Sequence, residues 1–98
     1  MGELFIVVSL YAKDGKEADL RRDLTNVVEP SRREEGSLRY DLFVDQNDPR
    51  RFVFVEHWAS TEARDKHHNE GDHIRHFQDH GAANVERTEI ACFLNRIA

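Results

Sequence analysis

The sequence holds a single cysteine, Cys92, so no disulfide can form within the chain. Cys92 stands in an apolar run, where a thiol behaves as a small buried hydrophobe. No apolar stretch approaches the roughly 20 residues needed to cross a bilayer. The start, Met1-Gly2-Glu3-Leu4-Phe5, lacks the basic residues and long apolar core of a secretion signal, so a cytoplasmic protein is expected. Basic blocks are missing too. The net charge is -5, with acids and bases interspersed, whereas nucleic-acid binding needs a basic stripe. Also absent are a glycine-rich phosphate loop, a G-x-S-x-G elbow and a C-x-x-C pair. What is there is 34% charged and 39% hydrophobic residues over 98 positions, the mix of one globular domain spanning 1–98. A chain this short buries a modest core, and association would add to it.

The pattern predicts a strand over Leu4–Ala12, then a turn at Lys13–Lys16. From Glu17, Leu20, Leu24, Val27 and Val28 fall at helical spacing. Pro30 should kink or end that helix, with a short resumption over 31–35 and a stop at Gly36. Alternation over Leu38–Asp45, turn residues over 46–50 and a second apolar run over Arg51–Trp58 predict a hairpin. Ser60 is placed to cap a helix, Gly71 interrupts it, and Asp72 is placed to cap a second short helix ending at His80. A loop over 81–84 and a last strand over 89–97 complete the order β-α-β-β-α-β. This is an α+β, ferredoxin-like plan with a four-stranded antiparallel sheet.

In that plan the first and third strands are central, and here both are apolar on both faces, as is the last. Helices of this number cover one face only. An antiparallel sheet with a wet face would alternate cleanly. The second face therefore calls for a cover, and the same face of a second copy supplies one in a symmetric sheet-on-sheet homodimer.

The segment Glu34-Glu35-Gly36-Ser37-Leu38-Arg39-Tyr40-Asp41 resembles the E-x-G-x-x-x-Y stretch of the antibiotic-biosynthesis monooxygenase family. Similar too are Asp48-Pro49 to Arg51-Phe52, and Glu56-His57-Trp58-Ala59-Ser60-Thr61-Glu62-Ala63 followed by His67, His73 and Phe77. The likeness spans nearly the whole chain. It implies a dimeric α/β barrel with a pocket between helices and sheet. Some members of the family oxygenate quinols or phenols with O₂ and no metal or flavin. Others cleave haem, and one type isomerises a phosphorylated autoinducer-2 product. Departures are an extra residue around Asn69-Glu70-Gly71 and, where haem-cleaving members carry an asparagine, a tryptophan and a ligating histidine, Val8, His67 and Gln78. These put haem cleavage low among the possibilities.

Oxygenation without a cofactor needs a base to ionise a phenol and a water-poor pocket to hold the anion beside O₂. The family position makes His67 the candidate base, and of His67 and His68 only one is expected to face the pocket. The bland alternative is a solvated histidine beside Asp65, Lys66 and Glu70. Glu56 shares a strand face with Phe52, Phe54 and Trp58, so its carboxylate needs a partner. It could orient a histidine or hold a substrate hydroxyl as a second catalytic group, or pair with Arg39 or Arg51. Trp58, Tyr40, Phe54, His73 and Phe77 are candidate substrate contacts, with core packing the alternative for each. Among His73, His76 and His80, His76 with His80 is the pair spaced to share a metal, although no metal or other cofactor is expected.

Three functions remain. The first is a monooxygenase acting on a quinol or phenolic aromatic. The second is an isomerase of a small phosphorylated or oxygenated metabolite, which needs cations such as Arg39, Arg51 or Lys66 at the pocket. The third is a dimer that binds a small molecule without turnover.

Overall fold

The computed structural model describes residues 2–98. The elements run β1 (Leu4–Ala12), α1 (Glu17–Arg32), β2 (Ser37–Asp45), β3 (Asp48–Trp58), α2 (Thr61–Glu70), α3 (Asp72–His80), a 3₁₀ turn (Ala82–Asn84) and β4 (Val85–Leu94). The sheet order is β2-β3-β1-β4, and every neighbouring pair is antiparallel. The ferredoxin-like plan thus holds, with the second helix in two pieces divided at Gly71.

The core lies between the helices and one face of this sheet. Leu20, Leu24, Val27 and Val28 of α1 pack with Ile6, Phe52, Phe54, Tyr40 and Trp58, and Ala63, Ile74 and Phe77 of the later helices join them. Alternation carries Phe5 and Val7 of β1, and Val53 and Val55 of β3, to the opposite face. Ile90, Cys92, Leu94 and Phe43 are in register with that set. Among the described residues no helix covers this layer. Phe43, Ile90 and Leu94 are 48%, 52% and 42% exposed.

Four boundaries differ from the sequence reading. α1 runs through Pro30 to Arg32. Proline withdraws one donor from the helical ladder, but the buried Val27, Val28 and Ser31 hold the last turn to the core, and Ser31 Oγ–H donates to the Val27 carbonyl at 2.6 Å. Asp72 is not the cap of α3; Gly71 occupies that position without a side-chain hydrogen bond. The hairpin turn shrinks to Gln46-Asn47, with Asp45 paired to Asp48, so Pro49 lies inside β3 at its turn end. β4 starts at Val85 and ends at Leu94, rather than running from 89 to 97. Its polar first half reads as loop, but Ser9 Oγ–H donates to Glu89 at 2.9 Å and Arg51 pairs with Glu89 at 2.9 Å. Those partners lie on β1 and, one strand further, on β3, and are invisible to local pattern.

The crossing from α1 to β2 fixes one residue type. Gly36 has φ +84, and a Cβ there would lie 2.5 Å from the Ala63 Cβ. Its carbonyl accepts the Ala59 N–H at 2.8 Å. Gly36→Ala therefore combines backbone strain with a clash and is expected to lower stability by roughly 1–3 kcal/mol, read as a lower urea midpoint at unchanged slope.

Candidate active site

A cavity of about 250 Å³ lies between the helices and the sheet. Ile6, Val8 and Leu10 from β1, Phe54 from β3, Leu24 and Val27 from α1, and Ile74 and Phe77 from α3 give it an apolar wall. Phe93 of β4 lines it too and is 56% exposed, which places the opening on the β4 side. Five polar side chains join this wall: Tyr40, Glu56, Arg64, His67 and His68.

His67 is 5% exposed, so it is no solvated surface histidine. Its ring packs on Trp58 at 4.8 Å and edge-on to Tyr40 at 5.4 Å between centroids. Nδ1 lies 2.5 Å from Glu34 Oε1. A carboxylate only accepts, so Nδ1 carries the proton and Nε2, across the ring, keeps a lone pair. Glu34 is held in place by the turn that follows α1. Its N–H donates to the Ser31 carbonyl at 3.2 Å, its carbonyl accepts from Ser37 at 3.1 Å, and Arg32 ties α1 to the Tyr40 carbonyl at 3.0 Å. His73 Nε2 stands 3.3 Å from the same Glu34 oxygen and 3.0 Å from Ser31 Oγ. Ser31 spends its proton on the Val27 carbonyl, so its oxygen accepts from His73 Nε2–H. A carboxylate flanked by two histidines results. Gly71 packs tightly against it: a Cβ there would lie 2.7 Å from the His67 carbonyl and 3.1 Å from His73 Cε1.

Burial lowers the His67 pKa from its ordinary value, and it outweighs the Glu34 hydrogen bond and charge, which raise it. His67 is therefore neutral at neutral pH, with a basic nitrogen available. For Tyr40, burial first and the Glu56 charge second push the phenol up, which keeps it protonated.

Glu56, 8% exposed, pairs with neither Arg39 nor Arg51. Those arginines pair with Asp41 at 2.6 Å and Glu89 at 2.9 Å on the other face of the sheet. Glu56 Oε1 instead accepts the Trp58 Nε1–H at 2.9 Å. It does not orient His67; Glu34 does. Burial raises the Glu56 pKa, and the Trp58 hydrogen bond and the Arg64 charge oppose the rise. A carboxyl with a raised folded pKa favours folding below its ordinary value of 4.5 and loses that contribution as pH climbs through the raised value. Once ionised, the buried group is a burden on the fold. Glu56→Gln keeps an acceptor for Trp58 and should raise the melting temperature by about 2–5 °C at neutral pH. The gain should vanish below the ordinary carboxylate value, where both side chains are neutral; scanning calorimetry at two pH values checks this.

Of the residues singled out in the sequence, Tyr40, Phe54, Glu56, His67 and Phe77 line the cavity. Trp58 is fully buried behind Glu56, and its N–H holds that carboxylate rather than a ligand. His73 faces Glu34 and a second hollow lined by Asp23, Asn26, His76 and His80. His68 also reaches the cavity, at its exposed rim, so both neighbouring histidines contribute. The His76 and His80 rings pack at a tilt, with centroids 4.5 Å apart. Among the described residues, however, the donors that converge for a metal are Glu34, His67 and His73, whose ligating atoms lie within 4.8 Å of one another. Two histidines and a carboxylate suit a divalent ion; holding one would displace the Nδ1 proton that fixes the His67 ring. Glu34 had a visible signal, as the first residue of the E-x-G segment, while Ser31 and Arg64 had none.

The profile of the antibiotic biosynthesis monooxygenase family matches residues 4–80. A Bacillus subtilis protein named "Putative monooxygenase YcnE" is 34% identical over 94 residues, covering 88% of this chain and 98% of its own length. Among solved structures, PA3566 from Pseudomonas aeruginosa superimposes with a TM-score of 0.92 at 31% identity, covering 100% of this chain and 97% of the other. A structure described as an antibiotic biosynthesis monooxygenase gives a TM-score of 0.88 at 27% identity, with coverage of 97% and 99%.

Proposed function

The chain belongs to the antibiotic biosynthesis monooxygenase family, and from that premise we propose that it oxygenates a quinol or phenolic aromatic with O₂ and no cofactor, acting as a homodimer. The observation that carries this reading is His67: a buried, neutral histidine in the wall of an apolar cavity, its tautomer set by Glu34.

His67 Nε2 accepts the phenolic proton, and Glu34 steadies the imidazolium that forms. Glu34 and His67 also line a surface groove with Lys66, so the proton has a short route to solvent. The phenolate is the reductant. It gives electrons to O₂, a C–O bond forms at a ring carbon bearing hydrogen, and loss of water leaves a quinone carbonyl. Phenol plus O₂ thus gives quinone plus water, with all electrons drawn from the substrate. The apolar wall keeps bulk water from the radical intermediates. Tyr40 and Glu56 are placed to hydrogen-bond substrate oxygens, and Phe54 and Phe77 to pack its rings.

The bare face of the sheet supports the homodimer. Phe5, Val7, Val53, Val55, Ile90 and Leu94 form one apolar layer without a helix over it, of the kind that pairs with its twin. The isomerase reading finds none of the three cations that the sequence offers at the cavity; the cation that lines it is Arg64. Arg39 and Arg51 lie on the other side of the sheet, and Lys66 lines the outer groove rather than the cavity.

The test is O₂ uptake with a panel of reduced naphthoquinones and phenols, using chelator-treated protein. Uptake that yields hydroxylated or quinone product is expected. Tight binding across the panel without uptake would replace this reading with a non-catalytic binding dimer.

A further inference from the structure

One cation in the cavity wall, so far met only as a charge acting on Glu56, has no role in the proposed reaction. Arg64 lies in the first turn of α2, its side chain 23% exposed, and its guanidinium carbon sits 5.0 Å from the centre of the Phe93 ring at the cavity opening. Among the described residues, the carboxylate it pairs with is the adjoining Asp65 at 3.5 Å, itself 53% exposed. That distance is long for a charge-assisted hydrogen bond. The side chain also borders the cavity, whose wall is mainly apolar.

Position adds to this. Arg64 and His67 are three residues apart on one helix and both line the cavity, so they are neighbours on its surface. An oxygen deprotonated by His67 is born beside Arg64. The groups facing the guanidinium across the cavity are Glu56 from β3, Tyr40 from β2, His68 from α2 and Phe93 from β4. Glu56 accepts the Trp58 N–H and also feels the Arg64 charge, so it is the carboxylate with which a ligand anion would share the guanidinium; Tyr40 and His68 carry no negative charge.

We propose that Arg64 is an anion anchor, and that this cavity selects planar aromatics bearing an ionised oxygen over neutral aromatics of the same size. The inference rests on the proposed oxygenase reading for its chemical sense, since the oxyanion is the species that reduces O₂. It deepens that reading by naming the charge state held and the residue that holds it. A planar guanidinium gives an oxyanion two parallel donors, and low local polarity strengthens them.

The test uses two oxidised probes that cannot react with O₂, so binding is read without turnover. 2-Hydroxy-1,4-naphthoquinone is ionised at neutral pH, and 2-methyl-1,4-naphthoquinone is neutral and similar in size. The wild-type protein should bind the ionised probe at least about tenfold more tightly by calorimetry, with the preference shrinking as salt rises. Arg64→Gln should lose the preference and hold the neutral probe within about twofold, while Arg64→Lys should keep part of it. A wild-type protein without preference overturns the proposal. So does Arg64→Gln with the preference intact, or with both affinities equally reduced, which would make Arg64 a structural residue. Should the preference depend on Arg64 while no quinol is consumed, the oxygenase reading fails and the anion site stands. Turnover without an Arg64-dependent preference is the reverse outcome.

Discussion

Replacing His67 by glutamine lowers kcat/KM with a phenolic substrate by about 10²–10⁴-fold and leaves the melting temperature close to that of the wild type. Glutamine is similar in volume and can still donate to Glu34, so the buried carboxylate keeps a partner. What is lost is the nitrogen proposed to accept the substrate proton. Alanine would lose as much rate but would also strand Glu34 and open a void, which makes glutamine the cleaner variant. Glu34→Gln should act through His67. The carboxylate raises the His67 pKa and fixes Nδ1–H. Its neutral replacement lowers that pKa further and leaves the tautomer free, for an expected loss of about 10–10²-fold in kcat. The acid limb of the wild-type kcat/KM profile should fall below the ordinary histidine value of 6.5, because burial lowers this group. In Glu34→Gln the limb should move to still lower pH. A residue that merely supported the fold would change the height of the profile and not its position.

Stability follows the same sign. A histidine whose folded pKa lies below its unfolded one contributes its full share above the unfolded value and loses it as pH falls through the folded value. Acid unfolding should therefore begin earlier than carboxylate protonation alone would set it.

The second large effect concerns the uncovered face. Val55→Asp places a carboxylate in the middle of the apolar layer, opposite Val7 and beside Asp41. Two such charges would meet or be buried across a symmetric interface, and neither would have a partner. Sedimentation should show the wild type at twice the 11.5 kDa chain mass and the variant at the mass of one chain. The variant should also melt at lower temperature, since this small sheet would lose the burial that association gives it. A control at exposed Asp79, changed to asparagine, should leave both properties unchanged.

The sequence carries these two features unequally. The bare face is legible, because a period of two with apolar residues at both phases can be read from Leu4–Leu10 and Phe52–Val55 alone. So is the α1 stripe, whose four apolar residues are all buried. The site was half legible. His67 and Glu56 could be found, but Glu34 lies 33 residues before His67, and nothing local says that a turn built on Gly36 brings the two together. The same gap led to an arginine partner for Glu56 when the indole two residues further along its own strand face was nearer. Arg64 carries no local signal, since α2 is highly polar and its inward face becomes evident only once β4 is in place.

The state of one imidazole carries the account, and long-range ¹⁵N–¹H correlation spectra of the histidine side chains across a pH series read it directly. The account predicts that His67 is neutral at neutral pH as the Nδ1–H tautomer, protonates only below the ordinary histidine value, and turns to a mixture of tautomers in Glu34→Gln. A His67 that is charged at neutral pH, or that carries its proton on Nε2, would contradict it.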